Sequence, residues 1–178
     1  KVTWMEVITH DPRALQTAPN HYKDDRDIVI LAVSQLGSAL KYAGPNSKDC
    51  EDIVLIAVKQ HHEAYKYASE RLQNTLSVIL ATVDRYPFSF IFFKESIKND
   101  PKVIKAVVLR NGFLLNDVDE KSRDNETIVK AAVSNYSPAL EYASLRLRSN
   151  KEIVLTAVMH GGGALAYADD AFKDDDKI

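Results

Sequence analysis

Residues 28–43 decide the architecture. Ile28-Val29-Ile30-Leu31-Ala32-Val33 is followed by Ala39-Leu40-Lys41-Tyr42-Ala43, and the arrangement returns 25 residues later as Ile53-Val54, Ala57-Val58 and Ala64-Tyr65-Lys66-Tyr67-Ala68. Further steps of 25 reach Val78-Ile79, Val103-Ile104, Ile128-Val129 and Ile153-Val154, each with its later apolar pair and without insertion or deletion. A backward step finds a weaker copy at Val7-Ile8 and Ala14-Leu15, and a forward step ends at Ile178. A fixed period of this length is the signature of a stacked repeat array.

Within a repeat the apolar residues fall at i, i+1, i+4 and i+5, one face of a helix about two turns long. Asp25, Cys50, Thr75, Asp100, Asn125 and Asn150 form the column before it, mostly side chains able to cap a helix start. The column one residue earlier is equally rich in Asp, Asn and Ser, so the cap is fixed only to within one position. Gly37, His62, Pro87, Gly112, Ser137 and Gly162 follow the helix and suggest a turn. A second, shorter helix, α or partly 3₁₀, carries Ala39, Leu40, Tyr42, Ala43 and their counterparts. The expected fold is all-α, an α-solenoid of about seven 25-residue two-helix repeats at approximately 1–24, 25–49, 50–74, 75–99, 100–124, 125–149 and 150–174. Stacked at helix spacing, they give a rod of about 60 Å. The array is expected to be a fragment of a longer protein, with an eighth repeat cut off at Ile178.

The chain of 178 residues carries 23 Lys+Arg against 25 Asp+Glu, and this net charge of −2 disfavours a protein living on nucleic acid or anionic membrane. One cysteine allows no internal disulfide and fits a reducing, cytoplasmic setting. No apolar run approaches the length of a membrane span.

The pattern Asp-x-x-Ile-Val-x-x-Ala-Val, then Ala-Leu-x-Tyr-Ala-Ser-x-x-Leu, resembles the repeat family called domain of unknown function 4116. The match is tightest at residues 25–43, 51–72, 124–147 and 150–168, and loosest in the first, fourth and fifth repeats. Arrays of this family occur in proteins of protists and in large secreted effectors of intracellular bacteria. The resemblance implies an array inside a larger protein, acting in a host cytosol if it is such an effector, and supplies no catalytic residues.

Two surfaces are candidates for partner binding. Gln35, Gln60, Arg85, Arg110, Asn135 and His160 end successive first helices and form a polar ladder, able to grip an extended peptide or bases. The same ladder is equally a set of helix-end side chains satisfying terminal carbonyls. The fourth repeat departs from the pattern: Phe88, Ile91 and, in the next copy, Phe113 stand where other repeats are polar, an apolar patch if they point outward. Phe92 and Phe93 are expected in the core, with Asp117 leaving room for Phe93. The alternation of Phe88-Ser89-Phe90-Ile91-Phe92 also allows a strand, but the unbroken 25-residue register argues against it. Repeated tyrosines (Tyr42, Tyr67, Tyr142, Tyr167) suggest buried rings with hydroxyls bonded between repeats.

Catalytic, cofactor-binding and metal sites are not expected. Asp49, Glu51 and Asp52 surround Cys50 with charge that opposes a thiolate. His61-His62 and His160 lie four repeats apart, too far to share an ion. Gly161-Gly162-Gly163 lacks the Lys-Ser/Thr of a phosphate loop and suggests a flexible turn. The acidic end, including Asp174-Asp175-Asp176, matches capping columns of a further repeat. The sequence therefore points to a non-enzymatic scaffold for an unidentified protein partner. A helical-repeat nucleic-acid binder or a passive spacer is the alternative, and weak self-association is expected through repeat ends or the Phe88/Ile91 patch.

Overall fold

The computed structural model describes residues 2–173; Lys1, the acidic run at 174–176 and the repeat start at Ile178 lie outside the described residues. The described residues form helices only, repeated every 25 residues. Each repeat has three pieces rather than two: a ten-residue α-helix such as Arg26–Gln35, a six-residue 3₁₀ helix such as Gly37–Tyr42, and a single α-turn such as Pro45–Lys48.

The long helices start where the first cap column places them. Asp25 accepts from the backbone N–H of Asp27 and Ile28, Asn125 from that of Ile128, and Asn150 from those of Glu152 and Ile153. Each satisfies donors that a helix start leaves orphaned. Pro101 takes the first helical position after Asp100, where its missing N–H costs nothing. The expected turn after the helix is different. Leu36, His61, Tyr86, Asn111 and Tyr136 are extended, and the next residue already opens the 3₁₀ helix. No residue has positive φ among those described, glycines included, so Gly161-Gly162-Gly163 is not a flexible turn but an extended link running into a 3₁₀ helix.

The 3₁₀ geometry follows from the apolar spacing. At three residues per turn, Leu40 and Ala43 eclipse one another and face inward with Ala39, while Lys41 faces out. Bonds from Ala39 N–H to the Leu36 carbonyl (2.8 Å) and from Ala43 N–H to the Leu40 carbonyl (3.1 Å) hold the turns. The strand option at 88–92 is overturned in the same way: Pro87–Phe92 is a 3₁₀ helix.

The chain divides into two compact units, Lys1–Ser89 and Phe90–Ile178. In the first, the long helices Val2–His10, Arg26–Gln35, Glu51–Gln60 and Leu76–Arg85 pack in succession, with the 3₁₀ helices Pro12–Gln16, Gly37–Tyr42 and His62–Tyr67 as a second layer. In the second, Pro101–Arg110, Glu126–Asn135 and Lys151–His160 do the same over Gly112–Asp117, Ser137–Tyr142 and Gly162–Tyr167. Within each unit the repeats thus stack as in a solenoid. The core is the predicted stripe: Ile28, Val29, Ala32, Val33 and their counterparts from residue 53 onward are buried, Val158 in the last repeat only partly, joined by Leu40, Phe90, Leu115 and Leu140 from the 3₁₀ layer, whereas Val7 in the first repeat is exposed. Each large side chain so buried contributes about 1.5–3 kcal/mol.

Ser89 is the flaw in this core. It stands where five of the other six repeats have alanine and the fifth repeat has Leu114, is 5% exposed, and its hydroxyl has no partner among the described residues. Thr82, equally buried, bonds the Val78 carbonyl at 2.7 Å. An unsatisfied buried hydroxyl costs about 1–3 kcal/mol. Ser89→Ala is therefore expected to raise the melting temperature by about 2–4 °C; a lower melting temperature in differential scanning calorimetry would show that the hydroxyl is satisfied in solution.

Candidate repeat clefts

The polar ladder is used by the fold itself. Gln60 reaches back one repeat, accepting from the Gly37 N–H at 2.6 Å and donating to the Gln35 carbonyl at 3.2 Å. Asn135 accepts from the Gly112 N–H at 2.8 Å. Gln35 donates to the Ile8 carbonyl at 3.2 Å, which suits a first repeat whose corresponding residue, Pro12, has no N–H to offer. Arg110 bonds the Ala106 carbonyl at 3.0 Å, and the His160 ring meets the Thr156 carbonyl at 2.8 Å. Arg85 is exposed. Five of these six side chains thus bond backbone at helix ends, and for the three amides, Gln35, Gln60 and Asn135, that backbone belongs to the preceding repeat.

Phe88, Ile91 and Phe113 are 37%, 45% and 39% exposed. Phe88 belongs to the first unit, where its ring lies 5.8 Å from Tyr86, itself 4.4 Å from His62. Phe113 belongs to the second, 5.8 Å from Tyr142 in an edge contact. Phe93 is buried as expected, whereas Phe92 is 73% exposed and not in the core. The reason is its column. Position 42 and its equivalents close the 3₁₀ helix on the cleft side, so Tyr42, Tyr67, Tyr142 and Tyr167 are half-buried and none of their hydroxyls is hydrogen-bonded among the described residues. The buried, bonded tyrosine is Tyr65, whose hydroxyl donates to the Gln73 carbonyl at 2.8 Å and whose pKa burial pushes up to about 12.

The second cap column, Asp24, Asp49 and Asp124, links repeats instead of capping helices. Asp49 accepts from Ser69 Oγ and, at 3.1 Å, from Arg71 Nε; Asp124 accepts from Ser144 Oγ and, at 3.0 Å, from Arg146 Nε. One repeat later the pair is exchanged, and Ser149 donates to Asp169 at 3.0 Å. These bonds, first from serine and then from arginine, hold Asp49 and Asp124 below the usual carboxylate range. Asp24 accepts from the Ser47 N–H at 2.9 Å.

Beside this seam runs a column the sequence reading missed: Lys23, Lys48, Gln73, Lys98, Arg123, Arg148 and Lys173, the last residue of each α-turn, six of seven cationic. Together with the tyrosine column it lines clefts between consecutive repeats. In the first unit, Lys23, Lys41, Tyr42 and Lys48 line a cleft of about 490 Å³. In the second, Arg123, Tyr142, Leu145 and Glu120 line one of about 530 Å³ at positions four repeats on. A further cleft of about 200 Å³ follows at Leu145, Arg148 and Asp170. Among the described residues no carboxylate forms an ion pair with Lys23, Lys48, Arg123 or Arg148, while Lys98 pairs with Glu95 and Lys173 with Asp170.

Cys50 has a neighbour the sequence did not foresee. Arg26 donates to its sulfur at 3.4 Å and to Asp52 at 3.0 Å, so its surroundings are not purely acidic. His61 and His62 have rings 5.2 Å apart; burial and then the charge of His61 push the His62 pKa below its ordinary value. Among the described residues no three His, Cys, Asp or Glu side chains are gathered to hold a metal, and no helix is long and apolar enough to cross a membrane.

No curated protein and no solved structure matches the chain. The sequence profile of the Domain of unknown function (DUF4116) matches it three times, over residues 4–48, 50–93 and 125–173. Each match spans nearly two of the 25-residue repeats. With the repeating cap, 3₁₀ layer and inter-repeat seam in place, the chain belongs to the DUF4116 family as a tandem array of its repeats.

Proposed function

We propose that this chain is a non-enzymatic scaffold that binds other proteins along the clefts between its repeats, as one segment of a larger, cytoplasmic polypeptide. The observation that carries the proposal is the recurrence of one cleft at equivalent positions, each with a half-buried tyrosine or a leucine beside a cation that forms no ion pair among the described residues. Amphipathic rings and unpaired cations at a fixed repeat are what an extended partner segment needs for contact and register. A solenoid repeats its surface as well as its core, so a partner meets the same chemistry at each step. Phe88, Ile91 and Phe113 add exposed apolar area outside the clefts.

The test is affinity capture from a cell lysate on the immobilised chain, in nuclease-treated and untreated halves, followed by mass spectrometry. The expected result is a small set of proteins retained after nuclease treatment. A variant carrying Phe88→Asp and Ile91→Asp shows whether the apolar residues contribute. Retention that disappears with nuclease makes the chain a nucleic-acid binder, and an empty capture in both halves makes it a spacer; either overturns the proposal.

A further inference from the structure

Resting on that reading, we infer that the cleft between the first two repeats binds an extended acidic peptide segment, its carboxylates on Lys23, Lys41 and Lys48 and its backbone along Gln16 and Asn20. All five side chains line the same cleft of about 490 Å³, around the ring of Tyr42 and the ring of Pro45. The charge balance is one-sided. Lys23, Lys41 and Lys48 form no ion pair among the described residues, and Lys41 Nζ stands 5.8 Å from the Tyr42 ring centroid, a contact that leaves its positive charge uncompensated. Asp24, the one carboxylate lining the cleft, accepts from the Ser47 N–H and from Asn46 and forms no ion pair with the lysines among the described residues, so three cations face a single anion.

The geometry favours a peptide over a nucleic acid. Successive repeats are about 10 Å apart, and an extended chain advances about 3.3 Å per residue, so carboxylates three residues apart match Lys23 and Lys48. Gln16 and Asn20 carry amides without hydrogen-bond partners among the described residues, and amides pair with a peptide backbone. Tyr42 and Pro45 offer apolar contact to the residues in between. A polyanion needs cations without interruption; the cation column is broken by Gln73, and Glu120 lines the equivalent cleft of the second unit.

The probe is the fluorescein-labelled nonapeptide Gly-Glu-Ala-Pro-Glu-Ala-Pro-Glu-Gly, measured by fluorescence anisotropy against the whole chain. The same peptide with Gln for Glu, and nine-residue oligothymidylate, serve as comparisons. The expected result is binding of the Glu peptide at least about tenfold tighter than the Gln peptide, lost on combining Lys23→Glu with Lys48→Glu and kept in Lys59→Glu, an exposed lysine outside the clefts. The reversed variant is expected to prefer the peptide with Lys for Glu. The carbonyls of residues 23 and 48 receive their repeat-to-repeat bonds from the backbone, so the side-chain changes leave the fold intact, which circular dichroism checks. Should the variant misfold, the Glu/Gln comparison on the unaltered chain decides alone. Equal affinity for the Glu and Gln peptides, no binding of either, or tighter binding of the oligothymidylate overturns the inference. Proteins retained in the lysate experiment alongside such a result would leave the scaffold reading standing.

Discussion

Gly112→Ala is expected to destabilise the chain by about 2–4 kcal/mol, read as a fall in the urea midpoint with the slope unchanged. A Cβ on Gly112 would stand 2.2 Å from the Ala132 carbonyl oxygen and 2.8 Å from Tyr136 Cβ, and the first of these is backbone on the last turn of the next long helix. A flexible side chain would swing away; a helix carbonyl does not, so the two repeats must part. Parting them also lengthens the 2.8 Å bond between the Gly112 N–H and Asn135, a cap worth about 1 kcal/mol. Gly37 is the same case, with the Ala57 carbonyl oxygen at 2.3 Å and the Gln60 amide closing the bond. Gly162 occupies the equivalent position with nothing within 4 Å of its Cβ. Gly162→Ala is therefore expected to be neutral or to stabilise by a few tenths of a kcal/mol by restricting the unfolded chain. If the two substitutions behaved alike, close approach would not be the reason for glycine at 112.

That pairing shows what was legible in the sequence and what was not. The 25-residue period, the buried stripe and the cap column were open to inspection because burial and capping act on residue type at fixed spacing. Gly37 and Gly112 were visible as glycines but not as contacts, since turn chemistry explains a glycine just as well until its φ is known to be negative. The signal that distinguishes the two explanations was present: both glycines have an amide 23 residues on, Gln60 and Asn135, whereas His62 and Ser137 have Arg85 and His160. The Asp49/Ser69 pair and its exchange to Ser149/Asp169 carry the same kind of information between columns rather than within one. The cation column at Lys23 and Lys48 escaped notice because a net charge of −2 hides a one-sided strip, and because lysine at the end of a helical turn has an ordinary explanation in the helix dipole. What set these lysines apart was the absence of ion pairs among the described residues, a property of the folded state.

The aromatic run of the fourth repeat yields the second large effect, and it separates neighbours that composition cannot. Phe90→Ala is expected to cost about 3–5 kcal/mol, whereas Phe92→Ala stays within about 0.5 kcal/mol of the parent. Phe90 is fully buried in the column of Leu40, Leu115 and Leu140, and removing its ring leaves a cavity that helices held by backbone bonds on a 25-residue register are poorly able to close. Phe92, 73% exposed, occupies the tyrosine column, where a ring covers the cleft rim and forfeits little when lost. A strand over 88–92 would place Phe88, Phe90 and Phe92 on one face and make their costs similar, because side chains alternate with a period of two. The 3₁₀ turn separates them instead: at 120° per residue, Phe90 and Phe93 share the inward face, and Phe88 and Ile91, three apart, share another. Chemical denaturation of the two alanine variants side by side therefore reads the local geometry directly. A costly Phe92→Ala with a mild Phe90→Ala would mean that the 3₁₀ helix is rotated about its axis and that the cleft wall at this repeat is built from the other ring.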